Sequence, residues 1–302
     1  MFQLIKPDIS IDFIRIRKAA FAVSAALITA GLVSLVVKGG PNYGIDFTGG
    51  LMVHVGVAPG VAIGEVRAAV AELGIGEIAV QEFGSQAGEF LLRVPSGDEQ
   101  LGGGRAARIK DALKERFAAN GGFEEKRTEI VGPRVGKELR RRGILSVIFA
   151  TLMMGVYIAV RFDLRFGVGA AAALAHDVVI TAGALSLADM EVNLSVVAAL
   201  LTVVGYSVND TVVVSDRIRE NLKRFRRDDL SELINRSINE TLARTLLTTG
   251  TSLMVLFALF FLGGGVIHGF AFTLLVGLTA GTYSSIFIAS PVVEYWKKGA
   301  PK

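Results

Sequence analysis

The chain has 302 residues, 51% of them hydrophobic, and a mean hydropathy of +0.51, which excludes an ordinary water-soluble domain. A 20% share of charged residues then requires the charge to be segregated into water-facing parts, and the net charge of +4 matters less than where Lys and Arg fall. With no cysteine there is no disulfide, no thiolate metal site and no thiol nucleophile.

In chain order, residues 1–18 are a basic N-terminal segment carrying Lys6, Arg15, Arg17 and Lys18. Residues 19–37 follow as a first span. Its apolar core is too long for a signal peptide and no small-residue cleavage site follows it, so it reads as an uncleaved anchor. Residues 38–140 are water-soluble in character. "LMVHVGVA" (51–58) alternates Leu51, Val53, Val55 and Val57 as a half-buried strand, and "VAIGEVRAAVAELG" (61–74) has helical spacing. "EIAVQEF" and "GEFLLRV" read as strands joined by the 84–88 turn. Residues 98–120 are helical in their second half, with the Gly102–Gly104 run weakening the first, and "FEEKRTEIV" (123–131) is a last strand. The order β-α-β-β-α-β is that of the ferredoxin-like split unit.

Residues 141–302 hold five more apolar segments near 144–160, 167–187, 194–214, 246–262 and 269–289, each approaching the roughly 20 residues that cross a bilayer. The expected fold is therefore an α-helical polytopic membrane protein of six spans, with an α+β domain between the first and second. The 216–244 connection is rich in arginine, the 161–165 turn has Arg161 and Arg165, and the tail has Lys297, Lys298 and Lys302. The loops 188–193 and 263–268 have neither Lys nor Arg. Both termini and the basic segment 216–244, read as amphipathic at the membrane surface, are then cytoplasmic, and the 38–140 domain is extracytoplasmic. Lys137 and Arg140–Arg142 fall on the other side, behind a long translocated domain that weakens the rule.

Asp210, in "GYSVNDTVVVSD", is the costly residue. An Asp at a helix centre is unfavourable by about 2.5–3.5 kcal/mol, and such residues face the bundle interior and carry function; the alternative is a snorkelling or capping carboxylate near the cytoplasmic end of the span. Val203, Tyr206, Val214 and Arg217 share its face, Asn209 lies to one side, and Gly205 would let another helix approach. Arg244, at the start of the fifth span, is its candidate partner; the alternative is a positive-inside anchor. Thr245, Thr248, Thr249, Thr251 and Ser252 give that helix a hydroxyl-rich flank able to hold charge or water. His176 and Asp177, in "AHDVVIT", are either a proton relay or a polar clasp between helices. The Gly277–Gly281 spacing favours close helix packing. No phosphate-binding loop, zinc-type cluster or nucleophile elbow is present, so an ATP-driven pump or a hydrolase is unsupported, and the chain is not expected to be an enzyme. No cofactor is expected beyond protons as coupling ion, and no nucleic-acid partner, because topology or anionic lipid explains the arginines.

Five stretches then resemble the SecF family of bacterial protein-export subunits: "GIDFTGG" (44–50), "VGPRVGKEL" (131–139), "FDLRFGVGAAAALAHDVVIT" (162–181), "GYSVNDTVVVSDRIREN" (205–221) and "NRSINETLARTLLTT" (235–249). The resemblance implies half of a resistance-nodulation-division type transporter in the bacterial inner membrane, partnered by SecD. It implies service to the SecYEG channel after the SecA motor has begun export of an unfolded preprotein, with the proton gradient as the energy source. The membrane carboxylate and arginine that serve coupling in the family match Asp210 and Arg244, and Asn209, Tyr206, Thr248, His176 and Asp177 are the supporting polar residues here. Two other readings stay open at this point: a proton-coupled half-transporter for a small solute or ion, and a non-transporting scaffold for SecD and the channel.

Overall fold

A computed structural model of the chain describes residues 10–75, 78–83, 88–95, 102–117, 122–225 and 229–299. Lys6, the 84–87 turn, residues 98–101, Arg226, Arg227 and Lys302 lie outside them. The chain divides into two units, residues 1–42, 145–263 and 267–302 in one and residues 43–144 and 264–266 in the other.

The first unit is helical. Its helices are α1 (Phe13–Val37), the C-terminal part of α5 (Pro133–Arg161), α6 (Leu164–Leu187), α7 (Leu194–Arg224), α8 (Leu230–Leu262) and α9 (Gly264–Ser284), which continues through a π-helical turn (Ser285–Ala289) into α10 (Ser290–Gly299). Among the described residues six helices are long and apolar enough to cross a membrane, the last formed by Ile267–Trp296, and the chain is a multi-pass membrane protein. Polar residues set where four helices begin. The side chains of Asp12, Asp163, Asn193 and Asp229 each accept a backbone N–H from the first turn, satisfying donors that the helix itself leaves unpaired.

Burial separates the helices into two classes. Of the most apolar window, 44% is buried in α6, 50% in α7 and 67% in the last span, against 11% in α1 and in α5 and 17% in α8. The sixth, seventh and ninth helices therefore form the centre, where polar side chains have protein rather than lipid for neighbours. Small residues allow this contact. A Cβ on Gly277 would collide with Val203, and one on Gly281 would lie 3.0 Å from the Ser207 Cβ. The glycine expected to do this on α7, Gly205, is exposed with open space around it, so the close approach is made by the glycines of α9 instead.

The basic segment 216–244 is amphipathic where it is described, but it is not a separate stretch between spans. It is the continuation of α7 to Arg224 and the first turns of α8 from Leu230, with Ile218, Asn221, Leu233, Ile234 and Ile238 buried between packed helices. Counting apolar residues found only the part of each helix facing hydrocarbon. Protein contacts, not lipid, bury the rest. Likewise α1 starts at Phe13 rather than residue 19, with Phe13 and Ile14 buried, whereas α5 carries Lys137 and Arg140–Arg142 exposed within its helix.

The second unit begins with a short helix, α2 (Ile45–Thr48), followed by β1 (Gly50–Val57), α3 (Ile63–Ala71), β2 (Ala79–Glu82), β3 (Glu89–Pro95), α4 (Gly102–Phe117) and β4 (Phe123–Val131), and ends in the first turns of α5. The sheet order is β2-β3-β1-β4 with each neighbouring pair antiparallel, Val53 opposite Leu92 on one side and Thr128 on the other. The alternating Leu51, Val53, Val55 and Val57 pack against Val66 and Val70 of α3 and Ala106, Ile109, Leu113 and Phe117 of α4. Those four residues of α4 recur at helical spacing, which explains why the glycine run at 102–104 is helical despite its propensity. Two of the recognisable stretches meet here. Gly49, at φ +75°, leaves no room for a Cβ against Pro133, and a Cβ on Gly136 would lie 2.8 Å from the Gly49 nitrogen. The glycines of "GIDFTGG" and "VGPRVGKEL" are thus two sides of one backbone contact. On the sheet, Glu89 accepts a hydrogen bond from Lys126 and faces His54 Nε2 at 3.0 Å. The Lys126 hydrogen bond, helped by His54 against the effect of burial, holds the Glu89 carboxyl below the usual carboxylate range.

Candidate functional site

Asp210 lies near the middle of α7 and is 6% exposed. Its carboxylate is held by hydroxyls from two other segments: Thr245 Oγ1 of α8 donates to Oδ1 at 2.7 Å, and Ser285 Oγ of the π turn donates to Oδ2 at 2.9 Å. The expectation that it faces the bundle interior is met in this sense. The charge of Arg244 acts on Asp210 without direct contact. Among the described residues no salt bridge joins Arg244 to Asp210; Arg244 is exposed and lines a cleft of about 540 Å³ with Tyr157, Arg161, Asp216, Glu220 and Glu240. Arg244 immediately precedes Thr245, so the guanidinium and the hydroxyl that holds Asp210 belong to the same turn of α8. At the cleft, Arg217 is bound to Glu240 and Glu220, both at 2.6 Å, instead of serving Asp210.

The supporting residues divide. Tyr206 donates to the Thr248 carbonyl at 3.0 Å and lies 3.1 Å from Ser252 Oγ, fastening α7 to α8 one turn away from the carboxylate. Thr248 Oγ1 turns back on its own helix, to the carbonyls of Arg244 and Thr245. Asn209 is exposed. None of the three reaches Asp210. Within the hydroxyl-rich flank it is Thr245 that does, because it is the member whose side chain faces the α7 carboxylate across a buried contact.

A second buried carboxylate stands beside the first. Asp177 of α6 has no solvent exposure and accepts from Ser207 Oγ at 2.6 Å and Ser284 Oγ at 2.8 Å, both on Oδ2. His176 Nδ1 lies 3.0 Å from Oδ1, and Nε2 lies 3.0 Å from Ser24 Oγ of α1. Consecutive serines, Ser284 and Ser285, therefore serve two different carboxylates on two different helices. Consecutive helical residues point about 100° apart, which lets the two serines face different helices, and Ser290 Oγ donates to the Ser285 carbonyl at 2.9 Å across the π turn. Ser207, Ser284 and Ser285 were not legible as site residues, since a serine in an apolar run most often bonds only its own helix. The one available signal was that "YSS" lies one turn beyond the Gly277–Gly281 packing surface.

Two comparisons of the sequence agree. Residues 110–299 match the family described as protein export membrane protein SecD/SecF, C-terminal, and residues 33–61 match the SecD/SecF GG motif, which contains "GIDFTGG". The chain belongs to the SecF family. It is 47% identical to the protein translocase subunit SecF of Desulfurispirillum indicum over 95% of this chain and 92% of that protein. It is 50% identical to that of Magnetococcus marinus over 96% of this chain and 93% of the other. Among solved structures, SecDF of Thermus thermophilus, a translocon-associated membrane protein, is similar at a TM-score of 0.83 and 38% identity. That match covers 98% of this chain and 40% of the SecDF chain. SecDF in its super-membrane-facing form gives a TM-score of 0.68 with 39% identity, over 99% of this chain and 40% of the other.

Proposed function

We propose that this chain is the SecF half of an inner-membrane complex with SecD that draws on the proton gradient to complete preprotein export through SecYEG after the SecA step. The observation that supports it best is Asp210, sheltered from lipid and bound by hydroxyls from α8 and from the π turn. The matched SecDF is a single chain of which this one spans 40%, and in this reading SecD supplies the matching half as a separate subunit. The N-terminus, C-terminus and the arginine-rich ends of α7 and α8 are cytoplasmic, and the sheet-bearing unit is an extracytoplasmic ferredoxin-like domain.

The coupling step follows from the hydrogen bonds. A hydrogen bond to an ionised group contributes about 1.5–3 kcal/mol and one between neutral groups about 0.5–1.5 kcal/mol. Protonating Asp210 therefore weakens its hold on Thr245 and on Ser285 together. Ser285 has an alternative acceptor in the Thr282 carbonyl at 2.9 Å, so it falls back onto its own helix and releases the π turn from α7. Thr245 has no second acceptor among the described hydrogen bonds, so weakening this one loosens α8, and Arg244 with it. One proton falling through about 100 mV supplies about 2.3 kcal/mol. That is the size of the change in the two bonds, and the differential stability of the two packings is what lets a proton bias them. Arg244, facing the polar cleft, supplies the positive charge toward which a newly ionised Asp210 is drawn when the helices close.

The test is export in reconstituted vesicles carrying the channel, the motor and SecD. Asp210→Asn is expected to leave ATP-started export at its gradient-free level and to remove the increment that the gradient adds. A full increment in the mutant overturns the reading, and a mutant defective without any gradient points to a scaffold instead.

A further inference from the structure

The hydrogen bonds around His176 and Asp177 fix how many protons the pair holds, by following each hydroxyl to its acceptor. Tyr283 OH lies 2.6 Å from the Ala20 carbonyl, which can only accept, so the tyrosine's single proton points there. Ser24 Oγ lies 3.1 Å from the same tyrosine oxygen, which has no proton left to give, so Ser24 donates. Ser24 in turn has no proton for His176 Nε2, 3.0 Å away, and that bond exists only if Nε2 carries a hydrogen and donates it. The other ring nitrogen then faces Asp177 Oδ1 at 3.0 Å. A neutral imidazole with its hydrogen on Nε2 has a bare Nδ1, and a bare nitrogen facing an ionised carboxylate makes no bond. One further proton must lie between Nδ1 and Oδ1.

We infer that His176 and Asp177 form a proton-binding site of their own, which in this arrangement holds one proton between Nδ1 and Oδ1 and carries no net charge. The site goes beyond the export reading and does not depend on Asp210. Its surroundings agree with neutrality. Oδ2 is occupied by the hydroxyls of Ser207 and Ser284, leaving Oδ1 as the oxygen that shares the proton. From α1 the pair faces Ser24; from α9 it faces Tyr283, whose ring stacks on the imidazole with centroids 5.9 Å apart, and Ser284. From α7 it faces Ser207, with Asp210 one turn further along. On α1, the partly buried Arg17 is bound to Glu294 of α10. Among the described residues no Lys or Arg forms an ion pair with Asp177, so a pair that had lost its proton would set an uncompensated negative charge next to a second carboxylate. When the proton leaves, the charge appears on the oxygens that Ser207 and Ser284 hold, and α7 and α9 are drawn onto α6. Binding reverses this.

The experiment is solid-state NMR of the full chain in lipid bilayers with ¹⁵N-labelled histidine, the His176 signals being assigned by their loss in His176→Gln. A hydrogen on Nε2 is expected in the wild-type chain at neutral pH; a bare Nε2, with the ring hydrogen on Nδ1 only, overturns the inference. Tyr283→Phe removes the acceptor that commits the Ser24 proton, so Ser24 can donate to Nε2. The Nε2 proton is then expected to leave to solvent, so that its signal is lost while the shared proton stays on Nδ1 beside an ionised Asp177. An unchanged tautomer in Tyr283→Phe also overturns it. The wild-type signature is expected to persist in Asp210→Asn, and its disappearance there would show that the pair has no proton site independent of Asp210.

Discussion

Thr245→Val isolates the hydrogen bond on which the coupling argument depends. Valine keeps the shape of threonine and deletes the donor to Asp210 Oδ1, which lies at 2.7 Å in a site 6% exposed. A bond to an ionised carboxylate contributes about 1.5–3 kcal/mol, so α8 should be loosened by a factor of about 10 to 150 in its opening equilibrium. Hydrogen exchange of the α7 and α8 amides, with the chain in lipid, reads that factor. In an Asp210→Asn background the same substitution should cost only about 0.5–1.5 kcal/mol, because the acceptor is neutral. In Asp210→Leu, where there is no acceptor, it should cost nothing. The difference between backgrounds is the charge-dependent part of the bond, the quantity that protonation of Asp210 is argued to switch. A Thr245→Val cost that is the same in all three backgrounds refutes the reasoning, since it would then come from packing alone.

Three further outcomes follow from other parts of the fold. Gly277→Val should separate α9 from α7 at a cost of about 1–3 kcal/mol in thermal or chemical unfolding, whereas Gly205→Ala on the lone chain, with open space at its Cβ, should be neutral or stabilising by up to about 1 kcal/mol. Arg17→Gln strips the guanidinium from the fully buried Glu294 and should destabilise the α1–α10 contact by about 3–5 kcal/mol, with Arg17→Gln/Glu294→Gln recovering part of the loss in the same assay. In the sheet unit, Glu89 is held low and Lys126 is held high by their mutual hydrogen bond. Glu89 thus contributes stability that is whole above its unfolded value near 4.3 and is lost as pH falls through its lower folded value. Lys126 contributes below its unfolded value near 10.4, and that part is lost as pH rises through its higher folded one. Amide protection across β1 and β3 should fall on the acid side below about pH 4 in the wild-type chain, and Glu89→Gln should abolish that acid-dependent step.

Much of the fold could be read from period and composition because each signal is local. The apolar runs marked all six spans, and the alternation at 51–57 with the helical spacing at 106–117 marked the sheet and its helix. What failed were the ends and the partners. Helices α7 and α8 run past their apolar stretches because protein, not lipid, buries Ile218, Ile234 and Ile238. The Gly205 expectation failed because a glycine shows only that a close approach is allowed on that face; the neighbour is chosen by the opposing helix. At the candidate site, Asp210 was legible since a carboxylate in an apolar run has an energetic cost visible in sequence. Ser207, Ser284 and Ser285 carry no such cost and so no such signal.

Membrane spans, the SecF family and the acids within the spans could all be read from the amino-acid order, because hydropathy, charge placement and motif are properties of neighbouring residues. The packing of the helices settled that Asp210 is hydrogen-bonded by Thr245 and Ser285, and that Ser284, the residue before Ser285, belongs to Asp177. Those pairings join residues 35 to 107 positions apart. They depend on how four helices rotate about their axes. A helix's rotation is set by all of its neighbours at once, and no single stretch of sequence contains it.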